Sequence, residues 1–198
     1  MRVFGKILLF GEYAILEGGN ALSVPSTKYF GSLKLGADTK EQLESHFHLF
    51  GFSEFLEKNF SAHINTGQLE SDLHQRLYFD SNIPLGYGVG SSGAVLAAIL
   101  KNYGKNIPET LAEKKSLFGS IESYFHGQSS GLDVMVCYEH APVLIENSKL
   151  KIAHSVHEND YAKFELIDTK EIGLTSELVN VSKEQKSEFK AAFEPVYV

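Results

Sequence analysis

Three segments of this 198-residue chain hold side chains whose types and spacing could do chemistry. The richest runs from Pro84 to Gly93, with Gly86, Gly88 and Gly90 alternating before Ser91, Ser92 and Gly93. Glycines let a backbone turn tightly and bring N–H groups close to a ligand with no Cβ in the way. The Ala- and Leu-rich run after it, Ala94 to Leu100, reads as a buried helix ending near Gly104. A helix start aimed at such a loop could bind a phosphate through unpaired N–H donors and the helix dipole. The same glycines would equally make a turn that packs a helix tightly, and the segment alone does not separate the two.

Two familiar phosphate loops do not account for it. Gly88 to Gly93 fits a bare G-x-G-x-x-G, but Asn82 and Pro84 stand where a hydrophobic strand should run into the first glycine. The acidic residue expected about 20 positions on would fall near Glu113, in a stretch that reads as helical. A P-loop needs a lysine after its last glycine, and Ala94 stands there.

The second segment carries two carboxylates. On a helix reaching Phe125, residues Phe118, Ile121, Glu122 and Phe125 share one face. A carboxylate beside an apolar stripe must be exposed at its edge, paired, or bound to a cation, and exposure is the commonest outcome. Asp133 follows the small-residue loop His126 to Gly131 and precedes an apolar run, a position where Asp often caps a turn. The third segment is Gly5 to Tyr13. Lys6 and Glu12 bracket an apolar strand there, and such a lysine most often extends to solvent.

The elements that must position these groups read as α+β, strands first and then helices and strands mixed. Val3–Phe10 is a strand, continued over Glu12–Leu16. A turn at Glu17–Asn20 leads to Ala21–Val24, and Tyr29–Leu35 is a further strand. Helical spacing of Leu43, Phe47, Phe50, Phe55 and Leu56 predicts a helix over 40–60. Strand pieces are expected at His63–Ile64 and Leu77–Phe79, and a helix from about Pro108 to Phe125. Strands are expected at Val134–Cys137, Val143–Ile145, Leu150–Ala153 and Phe164–Ile167, then a polar helix from Thr175 to about Phe193.

Composition bounds the partners. With 43% hydrophobic and 22% charged residues the chain is an ordinary globular protein. Its net charge of −7, without a dense Lys/Arg run, argues against a nucleic-acid binder. The single cysteine, Cys137, excludes an internal disulfide and a CxxC zinc site. None of the eight histidines falls in H-E-x-x-H, and all are expected at the surface. The apolar run Ile7–Phe10 is too short for a signal peptide or a membrane span, so a cytoplasmic protein without membrane contact is expected.

Each motif is modest alone, but their order resembles a known series. A first strand with G-K-x-x-L-x-G-E, a P-x-G-x-G-x-G-S-S loop, then E, H-G and S-G-x-D is similar to the GHMP kinases, nearest their mevalonate kinase branch, over roughly residues 3–145. The resemblance implies the N-terminal α+β domain of that family over residues 1–160, with residues 161–198 opening a C-terminal ferredoxin-like domain. It implies ATP and Mg²⁺ as cofactors and a small-molecule alcohol, mevalonate first, as substrate, as in isoprenoid biosynthesis. Backbone amides across Gly86, Gly88, Gly90, Ser91 and Ser92 would hold the ATP phosphates, and Ser92 with Glu122 the Mg²⁺. Asp133 would accept the substrate proton beside Lys6, and Glu12, Tyr13 and Ser130 would line the substrate side. Phosphoryl transfer needs chiefly alignment and charge neutralisation, which such a small set of parts can supply.

The chain departs from the mevalonate kinase pattern at Tyr13 (usually His), Ser129 (usually Pro) and Gly93 (often Ala), which bears on substrate choice more than on ATP use. No glycine follows Gly173, so the family's second glycine-rich loop is not in this sequence. From that we expect an incomplete enzyme with little turnover of its own, completed by a missing C-terminal domain or by self-association. Leu174, Leu178 and Phe189 would form the open apolar face. A kinase for phosphomevalonate, homoserine or a sugar, and a nucleotide-binding module without catalysis, stand as the alternatives.

Overall fold

The computed structural model of the protein describes residues 1–11, 19–147 and 149–153. Strand β1 (Arg2–Phe10) pairs antiparallel with the 14-residue strand β2 (Ala21–Lys34). The other edge of β2 carries two neighbours, β4 (Val143–Glu146) against Ala21–Ser23 and β3 (Tyr78–Ser81) against Gly31–Lys34. β5 (Lys149–Ile152) extends the sheet beyond β4, and every described pairing is antiparallel.

The described residues also form five helices: α1 (Lys40–Phe60), α2 (Thr66–His74), α3 (Ser91–Tyr103), α4 (Leu111–His126) and α5 (Leu132–Glu139). Thr39 and Gln42 form a reciprocal capping box at the start of α1, satisfying amides that the helix itself cannot. Their shared core gathers Phe52 and Leu56 of α1, Leu69 of α2, Leu96 and Ile99 of α3, Phe118 and Ile121 of α4, and Val134 and Met135 of α5, all buried. Burial of each such side chain contributes about 1.5–3 kcal/mol, so this cluster is the main term holding the helices to the sheet.

The α+β class and the helices at 40–60 and after Gly90 are as the sequence predicts. The helix expected from Pro108 begins at Leu111, because Thr110 caps it by accepting the Glu113 N–H. The strands expected at Ala21–Val24 and Tyr29–Leu35 are one strand. It runs through Pro25 because, between Ser23 and Gly31, β2 has a described neighbour on one edge only, where a missing N–H interrupts no second ladder. His63–Ile64 reduces to a single bridge between Ile64 and Gly104.

Two expectations are wrong. Val134–Cys137 is not a strand but lies inside α5. Its side chains at 134–137 are all buried, and a helix enclosed on every side shows no amphipathic period to read. His46 is not at the surface: it is buried on α1 with Nδ1 2.9 Å from the carbonyl oxygen of Leu77. Helix α2 went unpredicted. The strand at Glu12–Leu16, the strand at Phe164–Ile167, the helix at 175–193, the boundary near 160 and the open face of Leu174, Leu178 and Phe189 lie outside the described residues.

Candidate active site

The site begins at a register shift in β1. Between Phe4 and Lys6 the pairing with β2 slips, and the Lys6 N–H donates instead to the carbonyl of Val89 at 2.9 Å. That bond fastens the glycine-rich loop to the edge strand. A Cβ on Gly5 would lie 2.6 Å from the Val89 oxygen, so the approach requires glycine. Within the loop Gly86, Gly88 and Gly90 have φ of 77°, 67° and 78°, a region that costs other residues about 1–2 kcal/mol.

Gly90 is the N-cap of α3, and no side chain caps it. A Cβ there would meet the Cγ of Lys6 at 2.7 Å, so the lysine stem passes directly over this helix start. Beyond Gly90, Lys6 turns inward, with its side chain 9% exposed, and its ammonium lies 3.0 Å from Asp133 Oδ2. Lysine does not extend to solvent here. It is one half of a largely buried ion pair, which stays favourable only while both partners are present.

Asp133 stands in the first turn of α5, where the helix dipole favours a carboxylate. It is half-buried rather than enclosed, so one side remains open for a reactant. Its backbone packs against α3: a Cβ on Gly93 would lie 3.1 Å from the Asp133 carbonyl carbon. The small residue at position 93 thus sets how closely the two helix starts approach.

Glu122 projects from α4 toward the same place and is buried, 3% exposed. Ser92 Oγ, in the first turn of α3, donates to its Oε1 at 3.1 Å, and Ser129 Oγ donates to its Oε2. Burial pushes its carboxyl above the ordinary carboxylate range. The Ser129 bond opposes the shift, nearby Asp133 adds to it, and Ser92 and Lys6 offset it further. The commonest fate of such a residue, exposure at the stripe's edge, is therefore not the one observed.

The structure brings Lys6, Asp133, Glu122, Ser92 and the loop glycines together from four distant segments. Ser130 lies beside them at the surface, its Oγ accepting the Leu132 N–H at 3.3 Å and so helping to start α5. Glu12 and Tyr13 lie outside the described residues. The sequence reading missed Ser129 as a partner of Glu122. Its signal was only a hydroxyl in a small-residue loop, which becomes informative once α4 and α5 are known to meet there.

The donor set suits a hard cation held mainly by phosphate. Among the described residues no group of three or more His, Cys, Asp and Glu side chains could hold a metal, as a transition-metal site would require. Mg²⁺ needs only one or two protein oxygens beside phosphates and waters, and Glu122 with the adjacent Ser92 hydroxyl offers that. The glycine loop before an uncapped helix start is likewise suited to phosphate oxygens. No described helix is long and apolar enough to cross a membrane.

Residues 52–140 match the family model for the GHMP kinases N terminal domain, a span that contains the glycine loop, Glu122 and Asp133. The fold matches the crystal structure of the Methanococcus jannaschii mevalonate kinase with a TM-score of 0.56 at 18% identity, covering 99% of this chain and 70% of that one. A second mevalonate kinase structure gives 0.55 at 18% identity with the same coverage. The L. major mevalonate kinase, solved in complex with R-mevalonate, gives 0.56 at 15% identity, covering 99% of this chain and 64% of that one. A search of curated protein sequences returned no match. Residues 52–140 thus resemble the GHMP kinases N terminal domain, and the mixed helix-and-sheet fold is similar to that of the mevalonate kinase structures.

Proposed function

We propose that the protein is a small-molecule kinase of the GHMP type that transfers the γ-phosphoryl group of ATP to an alcohol, with mevalonate as the first candidate substrate. The single observation that carries this reading is the Lys6–Asp133 ion pair, 3.0 Å long, at the mouth of the glycine-rich loop. A carboxylate beside a buried ammonium, half open to solvent, is the equipment for taking a proton from a substrate hydroxyl. The phosphate-suited loop is fastened to the same lysine.

ATP and Mg²⁺ would supply the transferable phosphoryl group and the charge neutralisation that lets it leave. In this reading the loop amides from Gly86 to Ser92 hold phosphate oxygens, and Ser92 and Glu122 hold Mg²⁺. Asp133 accepts the hydroxyl proton, while Lys6, ion-paired with that carboxylate, attracts the developing alkoxide. Ser130, Glu12 and Tyr13 are assigned to the substrate side, residues 1–160 to the ATP-binding domain, and the protein to the cytoplasm. Mevalonate ranks first because three solved structures of similar fold are mevalonate kinases, one of them in complex with R-mevalonate.

The test is coupled ADP release with mevalonate, phosphomevalonate, homoserine and galactose offered in turn. Release that depends on one of these alcohols and disappears in Asp133→Asn, however slow in the parent, supports the proposal. Nucleotide binding without alcohol-dependent release for any substrate would leave a binding module in its place.

A further inference from the structure

The hydroxyl of Ser129 has a fixed direction. Its oxygen lies 3.0 Å from the Gly131 amide nitrogen. A backbone N–H can only donate, so Ser129 must accept there, and its one proton is committed to Glu122 Oε2. The other carboxylate oxygen takes the proton of Ser92. Two hydroxyls, one from α3 and one from the loop between α4 and α5, thus fix the plane of a carboxylate that is almost wholly buried.

Gly131 is the N-cap of α5, two residues before Asp133, with a φ of 74°. A Cβ there would lie 2.2 Å from the Lys115 carbonyl oxygen and 2.7 Å from the Gly119 nitrogen, so this helix start is seated directly on α4. The chain Gly131 N–H, Ser129 O–H, Glu122 carboxylate therefore links the start of the Asp133 helix to the carboxylate on its neighbour.

We propose that Ser129 is a positioning residue that aims Glu122 at a divalent cation and keeps that cation in register with Asp133; this rests on the reading that Glu122 holds the metal. Ser92 cannot do the same alone, because in that reading its own oxygen also faces the cation. Ser129 has no such second duty, and its orientation survives the arrival of the metal.

The experiment uses the full 198-residue chain, ADP, and Mn²⁺ as a paramagnetic stand-in for Mg²⁺. Mn²⁺ affinity is read by electron paramagnetic resonance, and metal-free ADP affinity by calorimetry. Removing a hydrogen-bond partner of a metal ligand typically lowers metal affinity about 10–100-fold, and that loss is expected for Ser129→Ala. Metal-free ADP binding should stay within about twofold, since its donors lie in the glycine loop. Ser129→Thr, which keeps the hydroxyl, should restore Mn²⁺ affinity. If Ser129→Ala does not fold, Ser129→Cys carries the test, because a thiol of similar size is a weak donor and should also weaken Mn²⁺ binding. Parent-like Mn²⁺ affinity in whichever of the Ala and Cys variants is folded overturns the inference alone. A parent chain that binds ADP but no Mn²⁺ overturns the metal assignment of Glu122, and the inference with it.

Discussion

At the scale of single residues, Asp133 and Glu122 have opposite surroundings, and this predicts opposite phenotypes. Asp133 is half-buried against an ammonium, with one side open to reach a reactant. A positioned base typically contributes about 10²–10⁴-fold, so Asp133→Asn is expected to lower kcat by that factor with ADP affinity little changed. Were Asp133 only a helix-start residue, Asn would serve nearly as well there, and parent-like turnover would show it. Glu122 is instead a charge confined by the fold. Its folded-state carboxyl sits above the ordinary range because of burial, so the folded chain holds that proton more tightly than the unfolded chain. Stability without ligand must then fall as pH rises from the ordinary carboxylate range through the raised one. Glu122→Gln removes this fall, and Ser92 can accept from the new amide. Melting curves should put the Gln variant above the parent near about pH 8, with the gap closing toward about pH 4. The same variant should lose about tenfold or more in Mn²⁺ affinity. A less stable Gln variant at the higher pH would mean that the two hydroxyls already compensate the buried charge.

At the scale of elements, what matters is how close the starts of α3 and α5 come to β1. Gly90 combines a positive φ with a Cβ position 2.7 Å from the Lys6 stem, whereas Gly88 has a positive φ and nothing within 4 Å. Alanine at 88 should show the conformational penalty alone, about 1–2 kcal/mol of stability. Alanine at 90 should show that penalty and also push Lys6 off Asp133, so kcat should fall further than the stability loss explains. Equal kinetic effects from the two variants, measured beside their urea midpoints, would refute the idea that Gly90 sets the lysine's path. These approaches also mark the limit of what the sequence discloses. The glycine loop and the helix after it are legible because glycines, serines and an Ala/Leu run differ sharply from their neighbours. The helical state of Val134–Cys137 is not, because full burial makes the whole run apolar and erases the period. Helix α2, nine residues with Leu69 and Leu73 as its buried pair, carries too short a pattern to stand out before Asn65 is known to cap it. The burial of Lys6 and Glu122 is equally hidden, since each residue type is ordinarily exposed.

At the scale of the whole molecule, the order of the motifs is legible in the residues themselves, and their meeting point only through the family resemblance. Segments at 5–6, 84–93, 122 and 129–133 converge because β1 leads the sheet, the loop is bonded to its edge, and α3, α4 and α5 pack together beneath. A nucleotide with its metal would touch all of these elements at once, and that sets the last prediction. A ligand that binds only the folded chain stabilises it by RT ln(1 + [L]/Kd), about 2.7 kcal/mol at a hundredfold excess over Kd. For a chain of this length each kcal/mol moves Tm by about 2–4 °C, so Mg²⁺ with ADP at that excess should raise Tm by roughly 5–11 °C. ADP without metal at the same concentration should give a smaller shift, since Glu122 and Ser92 then hold no cation. Ser129→Ala should bring the Mg²⁺ response down toward the metal-free one, because the carboxylate is still present but no longer aimed. Scanning calorimetry with ADP, with ADP and Mg²⁺, and with Mg²⁺ alone separates these contributions. Equal shifts with and without metal would mean that the loop binds nucleotide while Glu122 serves only the packing of α4 against α5.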